Sequence, residues 1–197
     1  MAVSAGSATL TQRIMGALRL DVATYEEVEA DTSATSQALT VVVLASVLTG
    51  IGSAIGAAMT PEGTGNPIGA LIGGLISTLI AWAVWSWVVF FVGTRMFGGT
   101  ATYGELLRTL GFGYAPSMFG VLTFIPVAGG LIGLAVAIWG LATGFVAARQ
   151  ALDISNGKTV AVIIVAFIAL VIVVAILAAI FAAIGFGGAM MLGGLTS

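Results

Sequence analysis

Five continuous apolar runs, separated by short polar or glycine-containing turns, fill most of the chain between residues 38 and 185. They cover about 38–59, 68–97, 104–125, 128–148 and 159–185. Each run is about 20 to 30 residues long, the length an α-helix needs to cross roughly 30 Å of hydrocarbon. None alternates apolar and polar positions as a membrane β-strand does. The pattern predicts an all-α, polytopic membrane bundle of five transmembrane helices.

The runs differ in detail. The first ends before Thr60-Pro61-Glu62-Gly63. The second is long enough that it must tilt, bend or extend beyond the bilayer. Its Trp82, Trp85 and Trp87 lie mid to late in the segment, where at least two are expected to pack on neighbouring helices. The third run is the least hydrophobic, with Glu105 and Arg108 near its start and Gly111, Gly113 and Pro116 in its body. Proline inside a helix removes a backbone hydrogen bond, so this run should kink or break. Only a few residues separate it from the fourth run, which predicts a tight antiparallel hairpin. The fifth, from Val160 to Ile180, is mostly branched aliphatic and is expected to be peripheral and lipid-facing.

Ahead of the bundle, residues 1–37 form a cytoplasmic N-terminal segment with an amphipathic helix. Leu10, Ile14, Ala17 and Leu18 fall at helical spacing, which predicts a short helix on the membrane surface. Thr24 reads as the N-cap of a second helix, and residues 32–37 as a small polar hinge. The division is thus 1–37, a transmembrane domain over 38–186, and a short glycine-rich tail over 187–197, disordered or resting in the outer interface. No secretory signal is visible, so the first membrane helix is expected to act as its own targeting signal.

Charge sharpens the topology. Only 7% of residues are charged and 59% are hydrophobic, against roughly 25% charged in soluble domains. All six basic residues lie on one side of the five runs: Arg13 and Arg19 before the first, Arg95 and Arg108 around the second turn, Arg149 and Lys158 around the fourth. Basic residues beside membrane helices stay cytoplasmic, so the N-terminus is expected inside and the C-terminus outside. The net charge of −2 does not point to nucleic acid.

Candidate chemistry is sparse. With no cysteine and no histidine, disulfides, thiol nucleophiles and haem drop out, and a zinc site has few ligands to draw on. No Ser-His or paired carboxylate arrangement lies in the apolar runs, and the glycines do not follow a phosphate-loop spacing. No enzyme, cofactor or metal is therefore expected. Glu105 and Arg108 stand three residues apart and could form an interfacial ion pair capping the third helix, or belong to a cytoplasmic contact surface. Gly52/Gly56, Gly69/Gly73, Gly129/Gly133 and Gly140/Gly144 are small-xxx-small pairs. Such pairs let helices approach closely in lipid, here first of all within the bundle, with a dimer interface as the lesser alternative.

Three stretches resemble the YIP1 family of five-span membrane proteins, in the form of its short prokaryotic members. They are QRIMGALRLDVATYEEVEADTSATSQA near the N-terminus, Gly113-Tyr114-Ala115-Pro116 in the third run, and IWGLATGFVAARQALDISNGKTVAVII over 138–164. Gly113, Tyr114 and Pro116 are similar to the family's glycine-tyrosine-then-proline motif, with the proline closer here than in the common eukaryotic form. The resemblance implies five spans with a cytosolic N-terminus, residence in a prokaryotic cell membrane, and no enzymatic activity. Eukaryotic members are associated with Rab GTPases; Leu20-Asp21-Val22 stands where their Asp-Leu-Tyr-Gly-Pro type motif would be, and Rab binding is not carried over.

Two functions follow as expectations. The first is a non-enzymatic scaffold or adaptor in membrane trafficking or organisation. It would contact membrane lipids and a protein partner through a cytoplasmic surface formed by Asp21, Tyr25, Glu26, Arg95, Glu105, Arg108, Arg149, Asp153 and Lys158, with homo-oligomerisation left open. The basic residues there serve equally well for topology and lipid headgroup contact. The second is a small-solute transporter, channel subunit or lipid-handling protein that uses the kinked third helix. A polar groove lined by Glu105, Tyr114 and Ser117 would favour it.

Overall fold

The computed structural model describes residues 8–59 and 67–194. These form α1 (Leu10–Leu18), α2 (Val22–Ala30), α3 (Ala34–Ala58), α4 (Pro67–Met96), α5 (Tyr103–Gly113), a 3-10 helix (Ala115–Phe124), α6 (Ala128–Leu152) and α7 (Asn156–Gly194). Four stretches are long and apolar enough to cross a membrane: Ala34–Ala58, Ile68–Met96, Ala128–Leu152 and Asn156–Ile180. The turn expected at Thr60–Gly63 lies outside the described residues. α7 runs on over residues 187–194, with no proline to interrupt it.

The third apolar run is two helices rather than one. Pro116 has no N–H and cannot continue the α-helical ladder. The chain tightens instead to i→i+3 bonding, with Tyr114 N–H on the Gly111 carbonyl at 3.2 Å and Ser117 N–H on the Tyr114 carbonyl at 2.9 Å. Carbonyls released at the break find hydroxyl donors on neighbouring helices. Thr143 of α6 donates to Gly113 O at 2.7 Å, and Thr49 of α3 donates to Ser117 O at 2.9 Å.

Cross-helix contacts fix the relative directions. Ala38 meets Gly111, and Gly52 meets Gly120 and Val121, so α3 runs parallel to the broken third segment. Ser46 bonds Thr78 while Gly50 meets Leu71, so α4 runs antiparallel to α3. Gly113 lies against Gly144 and Gly129 against Thr123, which gives the expected antiparallel hairpin. Its turn holds Val127 at φ 65°, a conformation a β-branched residue rarely adopts. In α7, Ile164, Phe167, Ile168 and the aliphatics from Val171 to Ile180 are exposed, as a lipid-facing helix requires.

Tryptophan placement follows the same logic. Trp82 is buried and donates to Leu107 O at 3.1 Å, Trp85 packs on the core, and Trp87 is exposed beside Phe91.

Two N-terminal details differ from the sequence reading. The N-cap of α2 is Asp21, whose carboxylate accepts from Ala23 N at 3.3 Å and from the Thr24 hydroxyl at 2.8 Å. A carboxylate at that position offers two acceptor oxygens, and Thr24 becomes its donor. The hinge is shorter than 32–37, because Asp31 Oδ1 accepts from both Ser33 N and Ser33 Oγ and lets α3 start at Ala34.

The glycine pairs divide by environment. A Cβ on Gly52 would lie 2.6 Å from the Gly120 carbonyl oxygen, and one on Gly129 would lie 2.0 Å from that of Thr123. Around Gly73, Gly140 and Gly144 a Cβ meets nothing within 4 Å. Gly52→Ala is therefore expected to lower unfolding stability in detergent by about 1–3 kcal/mol. Gly140→Ala should leave it within about 0.5 kcal/mol of the parent chain. Equal behaviour of the two variants would contradict this packing.

Candidate functional site

Two regions stand out: a polar cap formed by α1 and α2, and a groove between α3, α4 and the break at Pro116.

The cap is organised by a buried arginine. Arg13 is 1% exposed and the largest fully buried side chain in the structure. It donates to Gln37 Oε1 at 3.0 Å, Glu27 Oε1 at 2.9 Å and Asp31 Oδ2 at 2.6 Å, joining α1 to α2 and α3. A buried charge is tolerable only when paired and hydrogen-bonded in this way. Hydrogen bonds from Ser33 and then Arg13 hold the Asp31 carboxyl down at about 2. Tyr25 is sealed beneath the cap with its hydroxyl 3.4 Å from Ala17 O, and burial raises its pKa. Trp139 of α6 donates to Leu18 O at 2.9 Å, which anchors the end of α1.

Arg108 ties the cap to the bundle. Its guanidinium donates to the carbonyls of Val28, at 3.1 Å, and Glu29 in the last turn of α2. Those carbonyls have no partner within the helix and sit at its negative end, so a cation satisfies both needs. Glu105 instead closes a capping box with Thr102 at the start of α5, accepting from Thr102 N at 2.8 Å. The expected Glu105–Arg108 ion pair is thus replaced by two separate capping roles.

The nine residues read as one contact surface consequently separate. Tyr25 and Arg108 are buried and belong to the inner face of the cap. Asp21, Glu26, Arg95, Asp153 and Lys158 are exposed; Glu105 and Arg149 are intermediate. Glu26 accepts from Gln150, whose side-chain oxygen accepts from Arg149 at 2.6 Å. Asp153 accepts from Thr100 at 3.1 Å, and Lys158 donates to Phe97 O at 3.1 Å. Sequence reasoning missed Gln37, Trp139 and Gln150 and assigned Arg13 to topology alone. Arg13 and Gln37 on either side of an acidic segment were the available signal; Gln150 and Trp139 lie 124 and 121 positions from their partners in the cap and gave none.

The cap's polar groups are not all satisfied: among the described residues Glu29 Oε2, Arg13 Nε and Arg149 Nε are enclosed without a hydrogen-bond partner. Burial, followed by the charges of Asp153, Glu26 and Glu105 and opposed by Arg108, raises the pKa of Glu29 from 4.5 to about 7.

The groove has a volume of about 660 Å³. Its polar lining comprises Ser46, Thr49 and Ser53 of α3, Thr78 of α4, and Tyr114 and Ser117 at the break. Alanines, Gly50, Gly74 and Leu71 complete it, and among the described residues no lining side chain is an acid or a base of the Asp, Glu, Lys or Arg type. Of the groove expected for a transport or lipid-handling protein, Tyr114 and Ser117 are present and Glu105 is not. Ser46, Thr49 and Ser53 were missed, although their spacing places them on one helical face.

Together, an all-helical body with several lipid-length apolar helices and a broken third segment defines a multi-pass integral membrane protein. A family model described as the Yip1 domain matches residues 15–179, and the chain belongs to that family. No curated protein and no solved structure matches it.

The Glu29 environment gives a signed pH effect. A folded-state pKa near 7 against 4.5 for the free group means that the docked cap binds the proton more tightly. Docking is then fully favoured below pH 4.5 and weakens as the pH rises through about 7. The protection of α2 amides, after correction for the base-catalysed intrinsic exchange rate, is expected to fall across that window, and Glu29→Gln should flatten the response. A parent chain with a flat profile would contradict the assignment.

Proposed function

We propose that this protein is a non-enzymatic membrane scaffold that crosses the bilayer five times, with the cap and all six basic residues on the cytoplasmic side. The carrying observation is the cap itself. Arg13, Arg108 and Gln150 hold α1 and α2 in one position over the bundle end. The exposed charges of Asp21 and Glu26 are thereby fixed, those of Asp153 and Lys158 are fixed by Thr100 and the Phe97 carbonyl, and with Arg95 they form a rim whose preorganisation lowers the entropy lost when a partner docks. The partner is a protein that shares the membrane or reaches its cytoplasmic face.

The fifth crossing is the broken segment. An α-helix of 11 residues and a 3-10 helix of 10 rise about 16 Å and about 20 Å. Their sum covers roughly 30 Å of hydrocarbon. One observation favours the second reading, a transport or lipid-handling protein: the hydroxyl-lined groove beside that same segment.

Topology is directly testable because the chain contains no cysteine. Val127→Cys, at a position 98% exposed between the 3-10 helix and α6, should react with an impermeant maleimide added outside intact cells. Ser155→Cys, between α6 and α7, should react only after permeabilisation. Thr100→Cys, exposed between α4 and α5, should behave as Ser155→Cys does. Reversal at all three positions would refute the orientation, and labelling of Thr100→Cys and Val127→Cys from one side would refute the crossing by the broken segment.

The scaffold role is tested by purifying the tagged chain from its native membrane in mild detergent. A protein that co-purifies reproducibly with the parent chain should be lost from an Arg95→Ala, Lys158→Ala double variant that still folds. Recovery of lipid alone would count against the adaptor role.

A further inference from the structure

The groove holds more hydrogen-bonding capacity than the protein uses. Thr49 donates to Ser117 O, Thr78 donates to Gly74 O at 2.8 Å, and Ser46 reaches Thr78 at 3.4 Å. Among the described residues the hydroxyls of Ser53, Tyr114 and Ser117 make no hydrogen bond, yet they are not sealed off inside the protein. A hydroxyl facing hydrocarbon without a partner is unfavourable. Three such groups around one space point to something that fills it.

The position of the groove restricts the occupant. Ser46 and Thr78 lie near the midpoints of α3 and α4, and the lining continues through Ser53 to Ala57, Ala58 and Ala70 at the ends away from the cap. Thr49, Ser53 and Gly74 are exposed, so the groove opens sideways between helices. A ligand therefore enters from the bilayer. Among the described residues the lining offers no Lys or Arg, so a carboxylate or phosphate would find no counter-charge there at membrane depth, where charge is strongly disfavoured. The free hydroxyls can donate to carbonyl and hydroxyl oxygens, while the alanines and Leu71 match an acyl chain. The volume of about 660 Å³ falls within the roughly 300–1,000 Å³ of small-molecule pockets.

We propose that this groove binds an uncharged acylglycerol lipid of the diacylglycerol type. Its hydroxyl and ester oxygens lie on Tyr114, Ser117 and Ser53, and one acyl chain lies along Ala54, Ala57 and Ala70. The assignment rests on the lipid-handling reading of the same groove and names its ligand class. It is independent of the scaffold surface on the cap. The break at Pro116 gives the site its polar end, because it brings Tyr114 and Ser117 onto the wall facing α3 and α4.

The test uses the full chain in phosphatidylcholine vesicles carrying a photoactivatable, alkyne-tagged diacylglycerol. Parallel vesicles carry phosphatidylcholine and fatty-acid probes with the same reactive chain. The diacylglycerol probe is expected to label α3 and the 3-10 helix in preference to exposed α7, and the other two probes are not. Tyr114→Phe and Ser117→Ala remove unpartnered hydroxyls without disturbing packing, and each should reduce this labelling about fivefold. Gly74→Leu, placed where a Cβ meets nothing within 4 Å, should fill the groove and abolish labelling while the chain still elutes as a folded species. Preferential labelling of the groove by phosphatidylcholine or fatty acid would overturn the uncharged-acylglycerol assignment and leave lipid handling standing. If no probe labels the groove above α7, the assignment and the lipid-handling reading both fail. Labelling unchanged in all three variants would also overturn the proposal.

Discussion

In hydrocarbon, backbone polar groups must find their partners inside the protein, and this constraint governs the centre of the bundle. Pro116 makes it acute by ending the α-helical ladder at membrane depth. The structure answers with two threonines from different helices: Thr143 covers Gly113 O and Thr49 covers Ser117 O. These bonds clamp the broken segment between α6 and α3. The same two helices bring glycine to the contact, Gly144 beside Gly113 and Gly52 beside Gly120. On the α3 side close approach and hydrogen bonding are mutually dependent, since a Cβ on Gly52 would lie 2.6 Å from the Gly120 carbonyl oxygen and would draw the Thr49 hydroxyl away from Ser117 O.

At the other end, the cap obeys a different rule. Arg13 is deeply buried but carries three side-chain partners, and Arg108 occupies the bare carbonyls of α2. Neither is a surface salt bridge of marginal value. Each joins elements that could not pack through apolar contact alone, because α2 buries little beyond Tyr25 and Val28. Glu29 Oε2, Arg13 Nε and Arg149 Nε are where this arrangement is incomplete, and at Glu29 burial is compounded by the repulsion of Asp153, Glu26 and Glu105.

Much of the bundle was legible in the sequence, because hydrophobic run length, proline and glycine act locally. The break at Pro116, the hairpin at Val127 and the lipid-facing character of α7 follow from neighbours along the chain. The site residues were less legible because their roles are set across helices. Arg108 looked like a partner for Glu105 three residues away, whereas its partners lie in α2, about 80 positions earlier. Tyr25 looked available in a polar segment and is covered by α1. The stripe of Ser46, Thr49 and Ser53 shares one helical face, but only α4 and the broken segment turn that face into a groove.

Arg13 and Arg108 also serve two events separated in time. On the proposed orientation, both must be exposed cations while the helices are being inserted, since only a solvated charge resists translocation. In the finished protein both are buried. The Arg108 contacts to α2 can therefore form only after the third segment carrying it has been placed. The charges that direct insertion are then consumed by folding, which makes the closed cap a record that the chain was threaded correctly.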